Sequence, residues 1–270
     1  MKKTDVLGRD ASSLKEKKLW LLDMDGTIYL GEQIFPETLG FLQKIRENGG
    51  RYMMLTNNSS KSVDVYVKKV RRMGIEAGPD DFFTSVHATA QYLLAHHREE
   101  RIYAEGTRSF IEQLKNAGLD VTEELDRTAT VIVLGFDTEL TFEKMNRTSE
   151  MLTGFKGAYI ATHPDLVCPT EYGAVPDLGS LLIGFQNATG LMPKIIGKPE
   201  PAMIDAAIEV TGYRKEDAVM VGDRVYTDIA SGVNAGITTI GVLSGEATLQ
   251  EMLDAEKKPD YVFNNVGEIL

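Results

Sequence analysis

The chain has 270 residues, of which 43% are hydrophobic and 26% charged, so it can bury the core of one large or two small globular domains. Its 29 basic and 40 acidic residues give a net charge of −11 without a basic stripe, which argues against a nucleic-acid partner. We expect no membrane contact, because no apolar window is long enough to span a bilayer. Cys168 is the only cysteine, which excludes an internal disulfide framework and predicts a cytoplasmic location.

The first predicted strand ends in a pair of carboxylates. Leu19–Leu22 form an apolar run typical of a buried strand in a parallel sheet, and Asp23 and Asp25 follow it. Side chains two residues apart in an extended chain point to the same side, so both carboxylates can share one small volume. The pair favours Mg²⁺, with one ionised carboxylate to attack and one protonated carboxyl to donate. A calcium site or a surface acidic turn is the alternative.

The second predicted strand, residues 51–58, ends in small polar residues. Ligands of open parallel sheets bind beyond the carboxyl ends of the strands, so Thr56 and Asn57 should face the aspartate pair. A hydroxyl and backbone N–H groups suit a phosphoryl oxygen there. Without further context, these residues are better explained as the cap of the next helix, which Ser59 or Ser60 would begin.

The middle of the chain alternates strands and helices, enough for a domain of its own. The predicted elements are strands at 82–85, 101–105, 129–136 and 158–162, and helices at 86–97, 109–116, 142–152 and 178–188. Residues 160–180 lose periodicity and are rich in Pro and Gly, which indicates either a substrate-binding loop or an ordinary connector. The candidate binding residues of this loop are His163, Asp165, Glu171 and Tyr172.

Two later segments repeat the pattern of an apolar strand followed by a charged residue. Lys198 follows the predicted strand Ile195-Ile196 in a Gly-Lys-Pro turn, although a lone lysine is usually only a solvated charge. Asp223 closes a strand that begins at Ala218, which argues for metal ligation. Asp228 opens the next helix, where a carboxylate is favoured by the helix dipole. We therefore assign Asp228 to positioning of metal waters or of Lys198.

Taken together, these segments resemble the four motifs of the haloacid dehalogenase (HAD) superfamily, in the same order. The residues that carry the resemblance are Asp23-Met24-Asp25-Gly26-Thr27, Thr56, Gly197-Lys198-Pro199 and Asp223 with Asp228. It extends from Leu19 to the C-terminus and is strongest for subfamily IIA, the NagD-like or p-nitrophenyl phosphatase family.

The resemblance implies a Rossmann-like, doubly wound α/β core with an inserted smaller α/β cap domain. The long gap between Thr56 and Lys198 leaves room for such a cap, whereas the gap between Asp23 and Thr56 does not. The expected division is a core of residues 1–85 and 190–270, and a cap of residues 86–189.

The resemblance also implies roles for the motif residues. Asp23 would be the nucleophile that forms an aspartyl phosphate, and Asp25 the general acid and base. Mg²⁺ would be held by Asp23, the backbone carbonyl of Asp25 and Asp223. The phosphoryl oxygens would be bound by Thr56 and the backbone of Asn57, with Lys198 offsetting charge in the transition state.

The expected function is Mg²⁺-dependent hydrolysis of small phosphate monoesters: sugar phosphates, nucleoside monophosphates and p-nitrophenyl phosphate. The alternatives are a phosphotransferase or mutase that uses the same aspartyl phosphate, and a non-catalytic module that senses phosphorylated metabolites. His163 and Asp177 stand where relatives commonly have Asn and Gly, and both bear on the identity of the substrate. The expected partner is a small phosphorylated metabolite, and a homodimer remains open.

Overall fold

The computed structural model describes residues 3–170 and 172–270. Two compact units are formed: the first by Met1–Thr56, Asp64–Phe83 and Lys198–Leu270, and the second by Asn57–Val63 and Thr84–Gly197. The strands are β1 (Leu19–Leu22), β2 (Tyr29–Leu30), β3 (Gln33–Ile34), β4 (Arg51–Thr56), β5 (Phe82–Thr84), β6 (Ile102–Glu105), β7 (Val121–Thr122), β8 (Val131–Leu134), β9 (Ala158–Ala161), β10 (Val167–Thr170), β11 (Gly173–Pro176), β12 (Lys194–Ile195), β13 (Ala218–Gly222), β14 (Thr238–Val242) and β15 (Tyr261–Phe263). The helices are α1 (Thr38–Glu47), α2 (Val63–Arg72), α3 (Ser85–His96), α4 (Arg108–Asn116), α5 (Phe142–Leu152), α6 (Leu178–Thr189), α7 (Ala202–Thr211), α8 (Ala230–Ala235) and α9 (Leu249–Asp254).

The first unit is built on a sheet with the strand order β15-β14-β13-β1-β4-β5. Strand β1 pairs in parallel with both β4 and β13, and all four of its side chains are buried. From β1 the chain runs first toward β5 and later in the opposite direction, toward β15. This reversal makes β1 the switch point of a doubly wound sheet, where the crevice at the carboxyl ends of the strands receives ligands. The predicted α/β fold class is confirmed.

The second unit has its own sheet, with the strand order β12-β9-β8-β6-β7 and parallel pairing throughout. Strands β6 and β8 are fully buried, and a cluster that includes Phe136, Leu152 and Phe185 packs on the sheet. Strand β12, which lies just before Lys198 in the chain, pairs with β9 in this second sheet and not with a strand of the first sheet. A run of two apolar residues cannot indicate which sheet it will join.

Two short antiparallel hairpins lie where the sequence predicted irregular chain. Strands β2 and β3 pair around the turn at Gly31, and β10 pairs with β11 within the Pro- and Gly-rich loop. Their side chains are largely exposed or half-buried, so no apolar alternation marks them. Proline within β10 and β11 further weakens the sequence signal of a strand.

The start of helix α2 differs from its predicted cap. The helix begins at Val63, so neither Ser59 nor Ser60 lies next to its first turn. The Ser59 hydroxyl instead accepts the backbone N–H of Phe136 at 2.7 Å and lies 3.0 Å from the Thr162 hydroxyl. The hydroxyl of Ser59 thus stabilises the second unit. Among the described residues, no helix has both the length and the apolar character needed to cross a bilayer.

A buried glutamate in the second unit makes its stability depend on pH. Glu105 is 5% exposed and accepts a hydrogen bond from the Thr148 hydroxyl. Burial, followed by repulsion from Asp137, raises the pKa of Glu105 to about 8 from an ordinary 4.5, against the lowering effects of Thr148 and Lys144. The native protein therefore holds a proton that the unfolded chain releases above pH 4.5.

As far as Glu105 is concerned, we expect the free energy of unfolding to be highest at and below about pH 4.5 and to fall as the pH rises to about 8. The full penalty is about 3–5 kcal/mol. Glu105→Gln should remove the contribution of Glu105 to the slope of unfolding free energy against pH, measured by urea unfolding from pH 5 to pH 9. The exposed Glu112→Gln is the matched control. An unchanged slope in Glu105→Gln would contradict the assignment.

Candidate active site

The motif residues of the first unit meet at the carboxyl edge of its sheet. Leu22 lies opposite Met54 of β4 and opposite Val221 of β13. Asp23 is one residue beyond this row, and its backbone N–H donates to the carbonyl of Val221 at 2.9 Å. Asp223 lies two residues beyond the same row, as does Thr56 on β4. The parallel register thus brings three motif residues to one edge of one sheet.

Three carboxylates and one ammonium group form the centre of the site. Oxygens of Asp23, Asp223 and Asp228 all lie within 4.8 Å of one another. Lys198 Nζ donates to Asp23 Oδ1 and to Asp228 Oδ1, both at 2.6 Å. Lys198 is 3% exposed, so this ammonium group is desolvated and held between the two carboxylates. The site therefore has one fixed positive charge and three acidic side chains.

The crowding of the carboxylates changes their proton affinity. Burial, with repulsion from Asp228 and Asp223, raises the pKa of Asp23 to about 8, although Lys198 opposes the rise. Burial and Asp228 raise the pKa of Asp223 to about 6. Burial lowers the pKa of Lys198, but Asp228 and Asp23 outweigh it and the net pKa is raised. A cation bound by the carboxylates would favour their ionised forms.

Asp25 lies at the margin of the site and has a different environment. Its side chain is exposed, and it is not one of the three clustered carboxylates. Partial burial raises its pKa, while Lys69, the backbone N–H of Gly31 and Arg224 lower it. A raised pKa and access to solvent suit a group that exchanges protons with a substrate and with water.

Asp223 is held by contacts that the sequence reasoning missed. Its carboxylate accepts the backbone N–H of Glu246 at 2.8 Å and the Thr27 hydroxyl at 3.4 Å. The Ser244 hydroxyl donates to the carbonyl of Gly26 at 2.7 Å. The loop that follows β14 thus fixes both the metal-ligand candidate and the turn after the aspartate pair. A short polar loop without a motif carries no sequence signal for this role.

Asp228 is positioned by an irregular turn. Residues Val225–Ile229 form a π-helical turn before α8, and Asp228 Oδ2 accepts the backbone N–H of Arg224 at 3.1 Å. The remaining oxygen accepts from Lys198, as described above. Arg224 itself contacts Glu246 through Nε at 2.9 Å and was also missed by the sequence reasoning, although it directly follows Asp223. Asp228 therefore joins the backbone of Arg224 to the ammonium group of Lys198.

Gly26 is required by two separate constraints. Its φ is +88°, and a Cβ at this position would lie 2.3 Å from Asp223 Oδ2. We expect Gly26→Ala to cost about 1–2 kcal/mol of folding stability from the backbone alone. Displacement of Asp223 should also lower the kcat/KM of the reaction at this site by about a hundredfold. Both quantities can be measured by urea unfolding and steady-state kinetics.

Gly212→Ala provides the matched control for this prediction. Gly212 ends helix α7 in the same unit and also has a positive φ, +72°, but a Cβ there would meet nothing within 4 Å. Its variant should lose stability without the large loss in kcat/KM. Equal activity of the two variants would show that the approach of Gly26 to Asp223 has no catalytic consequence.

The residues of the second motif are divided between the two units. Thr56 ends β4 and belongs to the first unit, whereas Asn57 belongs to the second. Asn57 Nδ2 donates to both carboxylate oxygens of Asp165, at 3.1 and 3.2 Å, and its carbonyl accepts from the Ser85 hydroxyl. The side chain of Asn57 is therefore used within the second unit.

The candidate loop residues of the second unit differ strongly in exposure. His163 is fully buried, Asp165 has a side chain that is 13% exposed, and Tyr172 is 81% exposed. Glu171, the remaining candidate, lies outside the described residues. Of the described candidates, Tyr172 presents the most surface to a ligand.

Two family models and a known phosphatase match the sequence of this chain. Residues 20–120 match the family model for haloacid dehalogenase-like hydrolases, and residues 195–269 match a HAD-hydrolase-like model. An acid sugar phosphatase of Staphylococcus epidermidis is 34% identical over 255 residues, which cover 94% of this chain and 97% of that protein.

Solved structures are similar over nearly the whole chain. A 4-nitrophenylphosphatase from Thermotoga maritima has a TM-score of 0.89 and 41% identity, covering 95% of this chain and 97% of that one. A glycerol phosphate phosphatase from Mycobacterium tuberculosis, in complex with magnesium, has a TM-score of 0.88 and 26% identity, covering 95% and 77%. The chain therefore belongs to the NagD-like phosphatases of HAD subfamily IIA, and is a phosphoric monoester hydrolase.

Proposed function

We propose that this protein hydrolyses small phosphate monoesters with Mg²⁺ through an aspartyl-phosphate intermediate. The proposal depends chiefly on one observation: the carboxylate of Asp23 lies in a buried cluster with two further carboxylates, hydrogen-bonded to the desolvated ammonium group of Lys198. This hydrogen bond restrains the orientation of the Asp23 carboxylate at the carboxyl end of β1. Orientation of the attacking atom is a large part of catalysis of phosphoryl transfer.

The carboxylate cluster fits Mg²⁺ by its donor chemistry. Asp23 and Asp223 supply carboxylate oxygens, which hard divalent ions prefer, and Asp228 lies close enough to orient coordinated water. The raised pKa values of Asp23 and Asp223 indicate an excess of negative charge that a cation would offset. When bound, Mg²⁺ would neutralise charge on the phosphoryl group and hold it in line with the nucleophile.

The protein residues would act in two steps. In the first, an Asp23 oxygen attacks phosphorus, the bond to the ester oxygen breaks, and Asp25 gives its proton to the leaving oxygen. In the second, the Asp25 carboxylate takes a proton from water as the water oxygen attacks phosphorus. The bond to Asp23 then breaks and inorganic phosphate leaves. Lys198 and the hydroxyl of Thr56 would stabilise the phosphoryl oxygens, together with the backbone N–H of Asn57.

The substrate class is proposed from the relatives. Those described above are named acid sugar phosphatase, 4-nitrophenylphosphatase and glycerol phosphate phosphatase. We propose sugar phosphates, nucleoside monophosphates and p-nitrophenyl phosphate as substrates. The second unit, inserted in the chain between Thr56 and Lys198, would act as the cap that selects among them, with Tyr172 as its exposed candidate contact. The single cysteine supports the cytoplasm as the proposed compartment.

A panel of phosphate esters tests the proposal. The purified chain, with Mg²⁺ and after treatment with EDTA, is assayed for release of inorganic phosphate and of the alcohol. We expect phosphate and alcohol in equal amounts, loss of activity with EDTA and recovery with Mg²⁺. Transfer of the phosphoryl group to an added sugar, with less phosphate than alcohol, would favour a phosphotransferase. Turnover that is unaffected by EDTA would contradict a metal requirement.

A further inference from the structure

The second unit contains a buried cluster of one histidine and two aspartates that the proposed reaction does not use. We propose that His163, Asp165 and Asp177 bind a divalent transition-metal ion of the Zn²⁺ or Mn²⁺ class, separate from the carboxylate cluster of the first unit. One ligand atom from each of the three lies within 4.8 Å of the others. They come from two segments, since His163 and Asp165 follow β9 and Asp177 precedes α6.

The imidazole of His163 is the observation that points to a ligand. Its side chain is fully buried, and neither ring nitrogen makes a hydrogen bond to a described residue. Burying a polar group without a partner costs free energy, so such groups in native proteins are normally satisfied. The ring is held edge-on against Phe136, with centroids 6.5 Å apart. His163 is therefore oriented, with its nitrogens directed at two carboxylates.

The distances from His163 to the two aspartates suit coordination of a metal ion better than direct hydrogen bonding. Nδ1 lies 3.7 Å from Asp165 Oδ2, and Nε2 lies 3.7 Å from Asp177 Oδ1. A hydrogen bond between these atoms would be below about 3.2 Å. Two ligands of a tetrahedral Zn²⁺ with bonds of about 2.0–2.1 Å are separated by about 3.4 Å, close to the distance from either nitrogen to the carboxylate that faces it. The ion would take one ring nitrogen, the oxygen of the aspartate that faces it and an oxygen of the other aspartate, since one ligand atom from each residue lies within 4.8 Å of the others.

Charge and rigidity also favour a cation. Two nearly buried carboxylates carry two negative charges, which a divalent ion balances. Asp165 accepts from the amide of Asn57, and Asp177 Oδ1 accepts the backbone N–H of Leu178 at 2.6 Å. The two segments are joined by the N–H of Gly179, which donates to the carbonyl of Asp165 at 2.8 Å. A Cβ on Gly179 would lie 2.1 Å from the carbonyl oxygen of Pro164, so the segments are closely packed. The candidate ligands are thus preorganised.

Binding of Zn²⁺ to variants of the full chain tests the proposal. All variants are made in the Asp223→Asn protein, called the parent, which lacks one carboxylate of the cluster in the first unit. Zn²⁺ is titrated into each protein in competition with a chromogenic chelator and in excess Mg²⁺. We expect the parent to bind one Zn²⁺ per chain. Adding His163→Asn, Asp165→Asn or Asp177→Asn should weaken binding at least about tenfold, because loss of even an outer-shell partner costs that much.

His97→Asn is the matched control, because His97 lies in the same unit and pairs with Glu100 rather than with the cluster. It should bind Zn²⁺ as the parent does. The thermal unfolding temperature should rise with Zn²⁺ in the parent and in His97→Asn, but not in His163→Asn. The Asp165 and Asp177 variants keep a side-chain oxygen for their hydrogen bonds, so they provide the test if His163→Asn fails to fold. Binding that is absent from the parent, or equal in the His163 and His97 variants, would overturn the proposal.

Discussion

Asp23→Asn is expected to lower kcat for p-nitrophenyl phosphate by about 10⁴- to 10⁶-fold, the range seen when a catalytic nucleophile is removed. The amide is nearly isosteric with the carboxylate, and its oxygen can still accept the hydrogen bond from Lys198. An amide nitrogen cannot replace the attacking oxygen, and the neutral group contributes less to cation binding. Steady-state kinetics with saturating Mg²⁺ measure the effect.

The fold of this variant should be retained. The carboxylate of Asp23 is buried and repelled by Asp228 and Asp223, so a neutral amide relieves an unfavourable interaction. Asp205→Asn is the matched control, because Asp205 pairs with Lys215 on the surface of the same unit. It should keep wild-type kcat. Turnover retained by Asp23→Asn, with Mg²⁺ and without back-conversion to Asp, would remove Asp23 as the nucleophile.

Lys198→Met is expected to impair both folding and catalysis. The ammonium group is 3% exposed and makes 2.6 Å hydrogen bonds to Asp23 and Asp228, so its loss leaves two buried carboxylates without a counter-charge. Breaking a buried ion pair by removal of one partner costs about 3–5 kcal/mol. Loss of its interaction with the transition state should lower kcat by about 10²- to 10³-fold. Urea unfolding in EDTA and steady-state kinetics measure the two effects.

A lysine in an exposed ion pair of the same unit provides the matched control for Lys198→Met. Lys215→Met breaks an ion pair with Asp205 in which both side chains are nearly half exposed, and should cost about 0–1 kcal/mol. Mg²⁺ should restore part of the stability of Lys198→Met, because a cation bound by Asp23 and Asp223 offsets the uncompensated charge. A stability loss no larger than that of Lys215→Met would contradict the account of Lys198 as a desolvated counter-charge.

Elements with strong local signals were predicted from the sequence almost residue by residue. Strand β1 and helix α5 have the predicted bounds. Each is marked either by an uninterrupted apolar run or by a helical period with clear ends. The same signals placed Asp23 and Asp223 at the ends of β1 and β13, which the structure brings to one edge.

Structure without a strong local apolar pattern was not predicted. The hairpin of β10 and β11 is formed by backbone pairing between segments with little buried surface. The N-terminal segment likewise depends on a contact with a distant part of the chain. Asp5 is buried and accepts the backbone N–H of Val262, more than two hundred residues away in the chain. Local composition carries no information on such contacts.

The sequence by itself determined the chemistry available to this protein, because residue types and their order along the chain specify which strand ends carry carboxylates and which turn carries a lysine. Only the tertiary structure decided how these groups interact. The 2.6 Å contacts of Lys198 depend on the register of the sheet and on the turn after β13. The burial of His163 between Asp165 and Asp177 depends on the close approach of the segment after β9 to the first turn of α6. Proton affinity and metal preference follow from distance and desolvation, which arise only when the chain has folded.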